Sequence, residues 1–497
     1  TKVLADFLSV FYLLTLVLET RNEIIHKYVA SNLKTVQAKM KNIILILLFT
    51  LSLTAYSQNE KVEIQEYKYI VDSIYSTSLE DYRTIKVFLP KDYSENQKYP
   101  IIYTLDGEWM FEPTVYESKI LMDFEVIPKS IIVGVFHENR NEDLGINWKT
   151  GEFEKNSLNF YNFLAQELIP KINSTYSSSG FNTLVGHSNS ATFCAKVFTQ
   201  KKQPFKGFIA LSQNLFGNQL EEYIEFTKLK FNHLIFYFVA SGKRDATPRL
   251  EVGMKLDSLF KINQNHNIRS QHLLYDADHS GIVGKGLNNG ISHIFSEYRH
   301  YNDWNDKLID SLISKNISSL DFINEHSKKM TNIYGIDFKV NQDDLSLMQA
   351  MTQNDSDIKD VQDFEIENFG KSKEFYATYA QYYEYVKSYD KAFEYWSINL
   401  EKYYKENTSF FYYRRPIDLL YKKLNQPEKA IEFAEKWKEK APEFSPYFNL
   451  KIANIALESN AKRKRGLIAI QEYINDYQED LELSLEEAKE IEKKLIK

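Results

Sequence analysis

Cysteine is almost absent from this chain of 497 residues: Cys194 stands alone, which excludes an intramolecular disulfide framework and a cysteine-built metal site. Dense positive charge is absent too. The balance of 61 basic against 68 acidic residues gives a formal net charge of -7, and the one basic run, residues 462–465, is short, so the electrostatic footprint of a nucleic-acid binder is missing. No H-E-x-x-H zinc signature and no Walker phosphate loop occur, so the sequence calls for no metal and no organic cofactor. What is present is the composition of a soluble globular protein, enriched in Tyr and Phe, at a length that predicts two domains.

The first residues read as a processing segment. Met40, Lys41 and Asn42 open a basic start, an apolar run follows from Ile43 to Leu53, and Ala55 and Ser57 supply the small residues that a signal peptidase needs. Residues 40–57 are therefore expected to be a secretory signal peptide, and the protein to be exported, to the periplasm or beyond the cell. The run falls short of the roughly 20 apolar residues that cross a bilayer, and no membrane span is expected in the mature protein. With no cysteine after it, a lipid anchor is not indicated. Residues 1–39 lack an initial Met and are expected to be upstream sequence absent from the natural product.

From residue 58 to about 300 the chain alternates short β-like runs with amphipathic helical stretches, the pattern of a mostly parallel sheet covered on both faces. Strands are predicted at 84–89, 100–105, 130–135, 183–185, 207–211, 234–240 and 271–275. Several are apolar without alternation, as a sheet buried on both sides demands. Beyond 300 the β-like runs fade. Residues 301–370 read as a helical linker and 371–497 as a helical array, because Tyr389-Asp390-Lys391-Ala392-Phe393-Glu394-Tyr395 recurs 38 residues later as Pro427-Glu428-Lys429-Ala430-Ile431-Glu432-Phe433. Residues 466–473 resemble a third, degenerate copy. This spacing is similar to tetratricopeptide-type hairpins, with a plain helical bundle as the alternative and a protein partner as a role for either.

The chemistry concentrates in Thr183-Leu184-Val185-Gly186-His187-Ser188-Asn189-Ser190-Ala191, which reads strand, sharp turn, helix. A serine at the tip of such a turn sits in a strained backbone, and bulky residues two positions either side would collide with it. Gly186 and Ser190 fill those positions, although the usual motif has Gly at both. A serine hydroxyl needs a general base, and His279 follows just beyond the last predicted strand. The acid that orients the histidine is expected on the loop after the strand at 234–240, where Asp245 is the candidate, with Asp276, Asp278 or a Ser-His dyad as alternatives. The developing oxyanion needs two N–H donors: Asn189, directly after the serine, and Gly107 or Glu108 in the turn that ends the strand at 100–105.

Five segments in order resemble the putative esterase family of α/β-hydrolases, the group that holds esterase D and the enterobactin esterases: residues 85–93, residues 99–107, Ile132-Val133-Gly134-Val135 with Asn139 to Leu144 after it, Gly186-His187-Ser188, and His279. The resemblance covers about residues 62–298. It implies an α/β-hydrolase fold, Ser188 as nucleophile and His279 as base, and it places Arg140 and Asp143 on a loop beside the active site, where they would shape the pocket. Hydrolases with tetratricopeptide-like C-termini are also known in such families.

The resulting expectation is a serine carboxylic-ester hydrolase that passes a small-molecule ester through an acyl-enzyme. Two alternatives accompany it. One is an acyltransferase on the same fold, and the other is an inactive hydrolase-like protein that binds through its helical array.

Overall fold

Eight strands form one sheet in the computed structural model, which describes residues 69–478 and 483–497. The expected signal peptide and upstream extension lie outside the described residues. The strands are β1 (Ile70–Ser76), β2 (Asp81–Phe88), β3 (Tyr99–Thr104), β4 (Ile131–Val135), β5 (Ser178–His187), β6 (Gly207–Leu211), β7 (Ile235–Gly242) and β8 (Ile268–Tyr275). Their spatial order is β1-β2-β4-β3-β5-β6-β7-β8. The first two run antiparallel to their neighbours and the remaining six run parallel, so the C-terminal ends of β3 to β8 share one edge.

The sheet separates two apolar layers because successive side chains of a strand point to opposite faces. On β7, Ile235, Tyr237 and Val239 enter one layer, while Phe236, Phe238 and Ala240 enter the other. β4 divides in the same way, with Ile131, Val133 and Val135 on one side and Ile132 on the other. Both faces are buried, which is why these strands read as continuous apolar runs. The first layer is closed by α2 (Lys155–Asn162, continued to Thr175), α3 (Asn189–Phe198), α4 (Gln219–Thr227) and α5 (Thr247–Ile262). The second is closed by α1 (Gly107–Asp123), α6 (Gly281–Ile294) and α7 (Ser319–Tyr334).

Two features differ from the sequence expectation. β1 is an additional edge strand; Ile70, Val71 and Tyr75 are largely exposed on it, so it carries no buried periodicity to read. More consequential is α7, which falls inside the stretch read as a linker. Its Met330 and Tyr334, with Ile336 and Phe338 after them, belong to the same apolar layer as Phe181, Phe236 and Phe295. The Tyr334 hydroxyl donates to the carbonyl of Ile294, and its ring meets Phe181 edge-on at 4.9 Å. Gly335 ends the helix at φ 69°, and a Cβ there would lie 2.3 Å from the Ser179 carbonyl oxygen, so only glycine allows the chain this close to β5. This apolar layer of the sheet thus reaches to about residue 340. Tyr334→Ala is expected to cost about 3–5 kcal/mol, as truncation of a buried aromatic does, and to lower the urea midpoint of the full chain. An unchanged midpoint would detach α7 from the core.

The C-terminal region is helical throughout its described residues. Lys373–Tyr385 pairs with Tyr389–Tyr403, Phe411–Lys423 with Pro427–Lys440, and Ser445–Ser459 with Arg463–Asn475. Both copies of the repeated heptapeptide open the second helix of a pair, and their Ala392 and Ala430 are buried. Each helix packs chiefly on its neighbours in sequence, as a stacked array does. No helix among the described residues is long and apolar enough to cross a membrane.

Candidate active site

The parallel strands deliver the site residues to one edge of the sheet, where open α/β sheets gather their ligands. β5 ends at His187, and Ser188 follows at φ 63°, ψ -118°, a conformation that costs a non-glycine residue about 1–3 kcal/mol. The surroundings hold it there. The Ser188 N–H donates to the Leu211 carbonyl at 2.9 Å, and α3 begins at once, with Thr192 N–H donating to the Ser188 carbonyl at 3.0 Å. Gly186 makes the turn feasible, since a Cβ on it would lie 2.5 Å from the backbone of Ser190.

His279, four residues past β8, places Nε2 2.9 Å from Ser188 Oγ. Its Nδ1 lies 3.0 Å from Asp245 Oδ1, and Asp245 stands three residues past β7. The imidazole is 41% exposed while the carboxylate is 2% exposed, so the ring is open to solvent and the carboxylate is sheltered from water. Burial pushes the Asp245 carboxyl upward, but hydrogen bonds from Ser212 Oγ and the Ala246 N–H, with the neighbouring His279, outweigh it and hold the group below the ordinary aspartate range. The other two acids lie apart: Asp276 pairs with Arg244 at the surface, and Asp278 accepts the Gly281 N–H at 2.8 Å.

The two N–H sources expected for an oxyanion also meet here. β3 and β5 are direct neighbours, and the Leu105 N–H donates to the Val185 carbonyl at 3.0 Å, so the turn at 106–108 lies beside the Ser188 elbow. Asn189 is the first residue of α3, and Gly107 and Glu108 are the first two of α1; amides at these positions have no acceptor within their own helices.

Beneath the elbow runs a buried polar network. Asp106, fully buried at φ 56°, takes Arg140 in a fork, with Nε at 2.5 Å and Nη2 at 2.9 Å. Arg140 Nη2 also donates to the His187 carbonyl at 3.2 Å, and the bond to Asp106 raises the guanidinium pKa further. Ser190 explains its departure from glycine: its Oγ donates to Asp106 Oδ2 at 2.7 Å and accepts the His187 N–H at 2.7 Å, tying the two helix starts together. Arg140 thus supports the elbow from behind. Asp143 departs from the expectation of a pocket residue, because it is buried between Arg83, at 3.2 Å, and His137 Nδ1, at 3.0 Å. An aspartate with no open face compensates internal charge and cannot contact a ligand.

Three nearby residues escaped the sequence reading. Ser212, in the left-handed region at φ 57°, hydrogen-bonds Asp245 through Oγ, which also lies 3.0 Å from His279 Nδ1. The His187 ring lies tilted against that of His279 with centroids 4.8 Å apart, and its Nε2 donates to the His279 carbonyl at 2.7 Å; burial lowers its pKa. Arg249, on the first turn of α5, donates to the Ser212 carbonyl and to Asn189 Oδ1. Local sequence carries no signal for any of them, since each acts through contacts made across the sheet edge.

Residues 76–314 match the putative esterase family. This region is an esterase-family domain. Among solved structures, an uncharacterised protein from Capnocytophaga ochracea is 17% identical with a TM-score of 0.56, over 67% of this chain and 93% of that one, a shared fold. An IroE-like serine hydrolase from Shewanella oneidensis is 20% identical with a TM-score of 0.47, over 60% and 100% of the two chains. Siderophore hydrolase EstB from Aspergillus nidulans is 14% identical with a TM-score of 0.39, over 46% and 95%. No curated protein matches the sequence.

Proposed function

We propose that the esterase domain hydrolyses carboxylic esters of small molecules through an acyl-enzyme on Ser188. The observation that carries this reading is the continuous chain Ser188 Oγ, His279 Nε2, His279 Nδ1, Asp245 Oδ1, with contacts of 2.9 and 3.0 Å. His279 takes the proton from Ser188 as Oγ attacks the ester carbonyl, and Asp245 stabilises the imidazolium that forms. The N–H of Asn189 and that of Gly107 or Glu108 receive the oxyanion. His279 then returns its proton to the leaving alcohol. Water, deprotonated by the same imidazole, attacks the acyl carbonyl and frees Ser188.

Ser212 serves as a positioning residue in this scheme, holding the carboxylate and the imidazole edge at once. Removing a hydrogen bond to a charged group costs about 1.5–3 kcal/mol. Ser212→Ala is therefore expected to lower kcat by about 10- to 100-fold with KM little changed. An undiminished kcat would remove Ser212 from the scheme.

Export is part of the same proposal, supported by the basic start, apolar run and small residues between Met40 and Ser57. The helical array would then offer its surface to a protein partner. The direct test is turnover of p-nitrophenyl butyrate by the chain from Gln58 onward. Hydrolysis that a serine-reactive phosphonate abolishes is the expected result, and a folded chain inert to both would refute the reading.

A further inference from the structure

The arginines around the esterase site differ in how their charge is met. Arg83 is paired with Asp143, Arg140 with Asp106, and Arg244 with Asp276. Arg249 has no such partner. Its guanidinium spends Nη1 on the Ser212 carbonyl and Nη2, at 3.3 Å, on the side-chain oxygen of Asn189, both neutral acceptors, and no carboxylate pairs with it among the described residues. The nearest acid, Asp245, is committed to Ser212, His279 and the Ala246 N–H. Arg249 is also half-buried; that burial works most strongly against its charge, the nearby Asp245 carboxylate favours it without pairing, and Arg140 opposes it.

A half-buried cation with no carboxylate in contact with it is costly, and proteins meet that cost by pairing the charge. The position of this one is specific. It touches the residue after the nucleophile on one side and, on the other, the residue that bridges Asp245 and His279. An anion that paired with it would sit beside the reacting ester. We infer that Arg249 is a specificity residue that anchors an anionic group of the substrate, so that the esterase domain prefers esters bearing a carboxylate over neutral ones. The planar guanidinium suits a carboxylate, which it can meet with two parallel N–H donors. This inference rests on the hydrolase reading above.

The test uses the full chain on two pairs of esters, each with one charged and one neutral member. Mono-p-nitrophenyl adipate against p-nitrophenyl hexanoate places the charge in the acyl half, with a chain too long for its own carboxylate to expel the phenolate readily. 4-Acetoxybenzoate against its methyl ester places it in the alcohol half. The wild type is expected to favour the charged member of one pair by at least about tenfold in kcat/KM, as a bond to a charged group implies, and the pair that shows it identifies the half that Arg249 meets. Arg249→Gln should bring that ratio close to one, and Arg249→Lys should restore part of it. Because the variant also loses its bonds to Ser212 and Asn189, the charged-to-neutral ratio is the readout, not the rate on either ester. A second measurement needs no variant: the wild-type preference should shrink as salt is raised, because screening weakens the pairing. Equal turnover of charged and neutral esters in both pairs, or a preference that survives Arg249→Gln, would overturn the inference alone. Turnover of none of the four esters would overturn the hydrolase reading and this inference with it.

Discussion

Ser188→Ala is expected to lower kcat/KM for p-nitrophenyl butyrate by about four to six orders of magnitude, the loss seen when the nucleophile of a serine triad is removed, and His279→Ala by a comparable amount. The two losses should not add, because neither group has a function without the other. Stability should respond differently. Ser188 holds φ 63° within a turn fixed by Leu211, Thr192 and Gly186, and alanine tolerates that conformation no better than serine does, so the unfolding midpoint of Ser188→Ala should stay near that of the wild type. A large loss of activity with an intact fold is the signature of a nucleophile. Retention of turnover in either variant would move the chemistry elsewhere.

Asp245→Asn is the second large effect. The amide can still occupy the space but offers the wrong partner to Nδ1, and the loss in kcat is expected to be about 10⁴-fold, as in other triads that lose this charge. Asp276→Asn and Asp278→Asn should change little, because their carboxylates are engaged by Arg244 and by the Gly281 N–H. The pH dependence of stability gives an independent check. Asp245 titrates below the ordinary aspartate range, so its ionised form is favoured by the fold. A depressed carboxyl contributes its full share above the unfolded aspartate value, near 3.9, and loses it as pH falls through the lower folded value. The gap in Tm between wild type and Asp245→Asn should therefore be widest near neutral pH and close under acid. A gap that widens under acid would contradict the assignment.

How much of this was legible in the sequence depended on whether the signal was local. The elbow was readable because a strand, a small residue, the serine and a helix follow one another within nine positions, and their order alone implies the strained turn. His279 and Asp245 were readable from the rule that catalytic groups follow the ends of parallel strands. The strands themselves declared their burial, since Ile131–Val135 and Ile235–Gly242 are apolar on both faces. Other features had no local trace. Ser212 stands 24 residues from Ser188 and becomes significant only because β6 lies between β5 and β7. Asp143 shares a four-residue helical turn with Arg140, and its inward placement between Arg83 of β2 and His137 has no local trace. The helix α7 reads as linker because its polar outer face matches the helices that follow; its Tyr334 meets Phe236 and Phe181, on strands 98 and 153 residues earlier. Ser190, a departure from the usual small-residue pattern, proved to be the hydroxyl that joins the elbow to Asp106.

The central claim is that Ser188 is the group that attacks an ester. Its most direct test is mass spectrometry of the wild-type chain after reaction with a fluorophosphonate, with the adduct located by peptide fragmentation. The account predicts one adduct per chain, on Ser188, with none formed on His279→Ala under the same conditions. An adduct on another residue, or an unmodified Ser188 in a folded and reacted chain, would contradict it.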